Sequence, residues 1–408
     1  DGWFVSNYVG KTSFAAVNLI YPLIQILGSL GFIIGAGGSA LVAKILGEGD
    51  KPKAQSIFTL LVIVSVVLGL CFAAFGQYFL RDVAVAFGAE GILLDNCVLY
   101  GRIVFCSLTM FVLQNVFQSF FIVAEKPSLG LAVMLIAGVG NIVLDYVFIV
   151  PLGMGLKGAA LATAISQTVG ALLPVVYFAL PNGSLLRFRR AMFSLRAIGQ
   201  TFLNGLSEFM SNVSASVISM LYNYQLMTMA GEDGIAAYGV MMYVGFVFVA
   251  VFIGFVIGSA PIIGYHYGAD NRQELKNMFR KSLVIIGVFA AVVEAAALLL
   301  ARPLSKIFVS YDAELLELTV SGLRIYALSF FFMGYAIFSS GLFTALNDGV
   351  TSAIISFLRT LVFQTVSVIL LPLIWDIDGI WYSVTAAELM AVALSAFFLV
   401  KKRNRFHY

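Results

Sequence analysis

Eleven stretches of this chain, at residues 14–46, 54–78, 94–123, 129–149, 157–180, 197–229, 234–267, 274–300, 315–345, 350–373 and 379–400, are long and apolar enough to cross a membrane. A hydrocarbon layer of about 30 Å takes roughly 20 residues of helix. Lipid offers a peptide N–H or C=O no partner, so a spanning segment must satisfy its backbone internally. No alternating pattern of barrel strands is visible, which leaves helices. With 61% hydrophobic and 11% charged residues, the chain is far from the roughly 25% charge of soluble domains. The expected class is therefore all-α integral membrane. A net charge of +3 carried by dispersed Lys and Arg argues against nucleic-acid binding. Cys71, Cys97 and Cys106 fall in or beside spans at no metal-ligand spacing and read as packing residues.

The spans are not independent of one another. Residues 14–55 align without a gap on residues 235–276 at one offset, 268 − 47 = 221, with Ala15, Ala16, Gly37 and Gly47 matching Ala236, Ala237, Gly258 and Gly268. The same shift pairs Phe87 with Phe308, Gly101 with Gly322, Ser119 with Ser340, Ala124 with Ala345, Pro151 with Pro372 and Gly158 with Gly379. Such a duplication of a whole bundle is a hallmark of secondary transporters, which need two halves that rock against each other. It also carries Tyr222, in the middle of a full span, onto Asp1. Asp1 is then expected inside the membrane, with about half a helix missing before it and no cleaved signal peptide. Counting that remnant as span 1, two pseudo-symmetric six-helix bundles follow, twelve spans in the full chain with the first truncated. The divisions are an N-terminal lobe at 1–180, a basic linker at 181–196 and a C-terminal lobe at 197–408.

Basic residues crowd the loops after the even-numbered spans and the tail, among them Lys51, Lys53, Lys126, Arg187, Arg189, Arg190, Arg272, Lys402 and Arg403. The positive-inside rule then makes both ends cytoplasmic. The linker, with its Pro181 to Ser184 turn and its Arg187 to Arg190 run, reads as an amphipathic segment lying on the headgroups or simply as a basic loop that sets topology.

Charged groups inside a bilayer cost about 2.5 to 3.5 kcal/mol each, so those that remain are usually paired, cavity-facing or functional. The interior list is Asp1, Asp145, Glu208, Glu294, Glu388, Arg102, Arg324 and Arg359. Asn141 stands four residues before Asp145 and so shares its helical face. If spans 1 and 5 meet, Asp1 joins them, and two carboxyl groups in low dielectric do not both ionise easily. Such a pair can take up a proton or a sodium ion and release it when geometry changes, with Na⁺ at Asp1, Asn141 and Asp145 as the one metal ion suggested. The alternative is an Asp145 that merely bonds Asn and hydroxyls to hold helices together. The second copy does not repeat the site, since the shift replaces Asn141, Asp145 and Asp1 by Val362, Val366 and Tyr222.

Span 7 instead carries Asn204, Glu208, Asn212, Ser216, Ser219 and Asn223 in a stripe of three- and four-residue steps. The stripe should line water or substrate, with Glu208 attracting cations, or else bond helix to helix. Gln114 and Gln118 in span 4 are weaker candidates of the same kind. Glu388, Arg324, Arg102 and Glu294 are expected in interhelical ion pairs, whereas Arg359 is expected to snorkel. The 36 Phe, 17 Tyr and 13 Met offer adaptable apolar faces that can also hold organic cations. No His-Glu-x-x-His, paired aspartate motif or nucleophile constellation is present, so an enzyme is not expected.

Six motifs together carry a family resemblance: Asp1-Gly-Trp-Phe-Val5, Val9-Gly10, Phe14-Ala-Ala-Val17, Asn141-Ile-Val-Leu-Asp145, Gly158-Ala-Ala-Leu-Ala-Thr163 and Gly264-Tyr-His-Tyr-Gly268-Ala269. Over essentially its whole length the chain resembles the multidrug and toxic compound extrusion (MATE) family of the MOP superfamily, nearest its MepA-like bacterial branch. The resemblance implies two lobes around a central cavity that opens alternately to either side of a bacterial plasma (inner) membrane. It further implies export of organic, often cationic, compounds against inward H⁺ or Na⁺ flow, with no cofactor. Carried over by position, the family's first-lobe cation site comprises Asp1, Asn141, Asp145 and Thr163. The span-7 position that holds a glutamate in some members is Ala215 here, with Glu208 two turns earlier. The expected partners are membrane lipids and small organic cations, with the protein a monomer. The competing reading is a flippase of related fold for lipid-linked saccharides, which would prefer a strongly basic cavity; the interior arginines here are scattered.

Overall fold

In the computed structural model the described residues are 2–86, 89–181, 183–310 and 312–408, the side chains of Ser6, Lys11, Pro22, Ser216, Glu232 and Ile235 excepted. Among them there is no strand. A short α1 (Gly2–Phe4) runs into a π-helical turn, Val5–Val9, and then come α2 (Lys11–Gly47), α3 (Lys51–Ala86), α4 (Gly91–Cys106), α5 (Leu108–Val123), α6 (Pro127–Ile149) and α7 (Gly155–Ala179). The second half follows with α8 (Leu195–Gly268), α9 (Arg272–Val309), α10 (Ala313–Ala327), α11 (Ser329–Ala345), α12 (Gly349–Phe357), a second π-helical stretch at Leu358–Phe363, α13 (Gln364–Leu370) and α14 (Pro372–Phe406). Among the described residues eight helices are long and apolar enough to cross a membrane, and up to ten spans result when each bent pair counts as one. The sequence expectation of an all-α membrane protein is met.

The duplication is written into the backbone breaks. Gly10 lies between the first π turn and α2 at φ 125°, and its repeat partner Gly231, at φ 61°, splits α8 into two helices. Gly49 pairs in the same way with Asp270, and Gly155 with Asp376, all four in the left-handed region. The α4–α5 pair bends by 50° and the α10–α11 pair by 45°, at Ser107 and Leu328, again one offset apart. Three helix starts of the second half are capped by side chains. Asn271 accepts from the Glu274 amide, Asp312 from Glu314 and Leu315, and Asp348 from Thr351, meeting amides that have no partner inside the helix.

The chain divides into two compact units, one made of residues up to Ile45 with Asp50–Phe202, the other of Leu46–Gly49 with Leu203–Tyr408. The first packs Ala16, Ile20, Tyr100, Phe105, Leu156 and Ala160 in one core cluster. The second has its largest buried side chain, Trp381, among Tyr222, Met241, Leu323 and Phe330. On both units large apolar residues such as Leu70, Leu299 and Leu373 stand exposed, as expected of helices whose outer face meets lipid.

In the linker, residues 185–192 run extended along the first turns of α3. Gln55 Nε2 donates to the Leu185 carbonyl at 3.0 Å and Ser56 Oγ to that of Arg190 at 3.0 Å, while the Arg189 and Met192 amides donate to Thr59 Oγ1 and Ser56 Oγ. The Phe188 ring stacks on Phe58, centroids 5.4 Å apart and planes 5° from parallel. A hydroxyl-and-amide face on one helix thus satisfies a backbone that would otherwise need water.

Candidate functional site

Pro127 opens α6, where a missing N–H costs nothing, and the helix then runs unbroken to Ile149. Asn141 and Asp145 fall one above the other on it. Asp145 is 0% exposed, whereas Ile142, Val143 and Tyr146 beside it stand out on the surface, so the carboxylate faces the bundle and its apolar neighbours face outward. It lies four residues from the end of α6, about 6 Å along the axis. The turn to α7 is tight: Gly153 and Gly155 take positive φ, and at Gly158 a Cβ would meet Phe148 Cβ at 3.0 Å. That close approach lays the first turns of α7 on the end of α6.

On α7 the Thr163 hydroxyl donates to the Ala159 carbonyl at 3.1 Å. Thr163 also shares a hydrogen bond with the phenol of Tyr100 on α4, which lies within electrostatic reach of Asp145 and of Tyr21 on α2. Tyr100 is buried. Helices α4, α6 and α7 thus bring a phenol, a carboxylate and a hydroxyl near one another, with the Asn141 amide one turn before Asp145 on α6. This is a hard oxygen-rich donor set, suited to a proton or a small alkali cation rather than to a soft metal. Among the described residues no group of three or more His, Cys, Asp or Glu gathers anywhere. Asp1, expected as the second carboxylate, lies outside the described residues. Tyr100 was missed by the sequence reading, because a tyrosine in an apolar span gives no sign of which way its hydroxyl points.

The remaining candidates separate. Gln114 packs on Gly170, where a Cβ would meet its Cδ at 2.8 Å, and Gln118 Nε2 points to Met134 Sδ at 3.6 Å. Together with Gly130 and Pro174 they line a crevice of about 10 Å³, room for one water at most. Asn204 is buried and donates to Asn347 Oδ1 at 2.8 Å, with Ser207 beside Thr344. This end of the polar stripe bonds helix to loop. Glu208 and Asn212 stand exposed on the second unit, the Asn212 amide donating to the Glu208 carbonyl at 2.8 Å.

Arg359 is a correction. It does not snorkel, because ten residues, about 15 Å of helix, separate it from Gly349, while its Nε reaches both carboxylate oxygens of Glu388 at 2.8 and 3.0 Å. Arg102 and Arg324, expected in ion pairs, are exposed and have no ion-pair partner among the described residues. Glu294 is half-buried and likewise unpaired among them.

A duplicated helical bundle that sequesters a carboxylate among oxygen donors is the build of a membrane transporter. The model of the MatE family matches residues 1–147 and 209–370, one stretch in each repeat, and the chain belongs to that family. Among its relatives, the multidrug export protein MepA of Staphylococcus haemolyticus (strain JCSC1435) is 26% identical over 404 residues, 99% of this chain and 88% of that one. MepA of Staphylococcus aureus (strain MSSA476) is 25% identical over 394 residues, covering 96% and 86%. Among solved structures, a multidrug resistance MATE family transporter of the MOP superfamily in an outward-facing conformation superposes with a TM-score of 0.93 at 23% identity, covering 99% and 91%. A MOP superfamily transporter from Pyrococcus furiosus superposes with a TM-score of 0.92 at 23% identity, covering 100% and 91%. At such identities the likeness is one of fold.

Proposed function

We propose that this chain exports organic, often cationic, drugs or toxic compounds across a bacterial plasma membrane in exchange for inward H⁺ or Na⁺, by alternating access with both ends cytoplasmic. The observation that carries the reading is Asp145, a carboxylate with no solvent exposure set among Asn141, Thr163 and Tyr100. In low dielectric such a group exchanges its charge state cheaply only by gaining or losing a cation. In this reading Asp145, Asn141 and Thr163, with Asp1, bind the coupling ion; its occupancy alters helix packing around α6 and lowers substrate affinity on the outward side. Each elementary charge moving down 100 mV supplies about 2.3 kcal/mol, enough for a gradient of nearly fiftyfold. In the same reading Glu208 and Asn212, both exposed, meet a cationic substrate. The names of the MepA relatives support drug export, as does their match over nearly the full chain.

The test is uptake of a fluorescent organic cation into proteoliposomes under pH and sodium gradients imposed separately. Wild-type protein should respond to at least one gradient, and Asp145→Asn, correctly folded, to neither. Undiminished uphill transport by Asp145→Asn would remove the coupling role.

A further inference from the structure

The second unit buries a carboxylate of its own. Glu388, on α14, is 2% exposed, and Arg359, 14% exposed, holds it from the π-helical stretch Leu358–Phe363. Both lie deep along their helices. Among the described residues the titratable groups within electrostatic reach of the pair are tyrosines: Tyr222 and Tyr326 for Glu388, and Tyr326 also for Arg359. The Tyr222 hydroxyl is itself held by Gln364 Oε1 at 2.9 Å and Ser383 Oγ at 2.6 Å, and its ring stacks on Tyr238. Among the described residues the guanidinium is therefore the countercharge of this carboxylate, inside an otherwise neutral surround.

The repeat shows that this arrangement belongs to one copy. The offset carries Arg359 to Gly138 and Glu388 to Gln167, and it carries the π turn to residues 137–142, which are regular α-helix. The two copies keep the same number of residues across this stretch, so the second differs in winding and not in length; π turns are frequent at functional sites. Here the turn accompanies the arginine. A lone buried carboxylate would cost several kcal/mol as an anion and would be neutralised by whatever cation could reach it.

We propose that Glu388 is a latent cation-acceptor site of the second unit, kept filled by Arg359 as a cation tethered to the chain, so that a proton enters there only when the guanidinium is removed. The inference goes beyond the coupling role of Asp145 and does not depend on it.

Dicyclohexylcarbodiimide tests it. The reagent is apolar and reacts with a protonated carboxyl, whose O–H adds across one C=N bond to give an O-acylisourea that rearranges to a stable N-acylurea, with nothing oxidised and nothing expelled. Purified protein in nanodiscs is treated at mildly acid pH and the adduct at residue 388 is read by peptide mass. Wild type should show none. Loss of an opposite charge at this range raises the neutral fraction of a carboxyl at least about tenfold, so Arg359→Gln should gain at least that much adduct, and the double variant Arg359→Gln/Glu388→Gln should lose it. A folded Arg359→Gln without adduct would overturn the proposal. Should that variant fail to fold, wild type alone decides, since labelling of Glu388 in it would show that the pair opens. The readout is at position 388, so it stands whether or not Asp145→Asn abolishes transport.

Discussion

Phe188→Ala should loosen the docking of the linker on the first unit without unfolding that unit. The ring stacks on Phe58 and makes edge contacts with Phe117 and Phe178 at centroid separations of 6.5 and 6.4 Å, while its amide donates to the Phe178 carbonyl at 3.0 Å. A fully buried Phe→Ala costs about 3 to 5 kcal/mol. Phe188 is only half-buried, so about 2 kcal/mol is the reasonable share, including the aromatic pairing of about 0.5 to 1.5 kcal/mol. The four hydrogen bonds from Gln55, Ser56 and Thr59 remain and keep the segment mostly docked. About 2 kcal/mol is a factor of roughly 30 in the open population. Arg187, Arg189 and Arg190 are trypsin sites, and cleavage of a transiently open segment tracks that population when reclosing is fast. Limited proteolysis in detergent should therefore cut Phe188→Ala about thirtyfold faster than wild type within 187–190, with no new cuts elsewhere. Equal rates would mean that the docking contacts do not hold the linker.

Tyr100→Phe removes the hydroxyl shared with Thr163, a bond worth about 0.5 to 1.5 kcal/mol net. The coupling-ion concentration for half-maximal transport should move about two- to tenfold; an unmoved value would separate Tyr100 from the site. Glu388→Gln strands the Arg359 charge and should lower the thermal midpoint more than the double Arg359→Gln/Glu388→Gln does, because breaking a buried pair costs about 3 to 5 kcal/mol whereas replacing both members is often near neutral. The opposite order in a detergent thermal-shift series would contradict that reading. Gly379→Ala sets a methyl against the Leu371 carbonyl, while Gly254→Ala has open space around it. The first should therefore destabilise by about 1 to 3 kcal/mol and the second leave the midpoint unchanged or raised, as measured in the same assay.

The fold class and the two-copy plan were legible from residue order, because lipid permits one way of satisfying a spanning backbone and a repeat needs no three-dimensional knowledge to be seen. Even the break at Gly231 could be read from Gly10 by the offset. The shared face of Asn141 and Asp145 followed from helical periodicity alone. Contacts between different helices were another matter. That Tyr100 turns its phenol to Thr163, that Asn204 bonds Asn347, and that Arg359 meets Glu388 depends on rotation about each helix axis. A change of winding such as the π stretch Leu358–Phe363 alters that rotation without changing the residue count, and no spacing rule along one strand of sequence records it. The linker shows the same division: its basic charges were plain, but its docking required a hydroxyl face on α3 and an aromatic slot formed by α3, α5 and α7 together. Composition and periodicity thus chose the solvent and the helices, and tertiary packing chose which of the few interior charges meet one another.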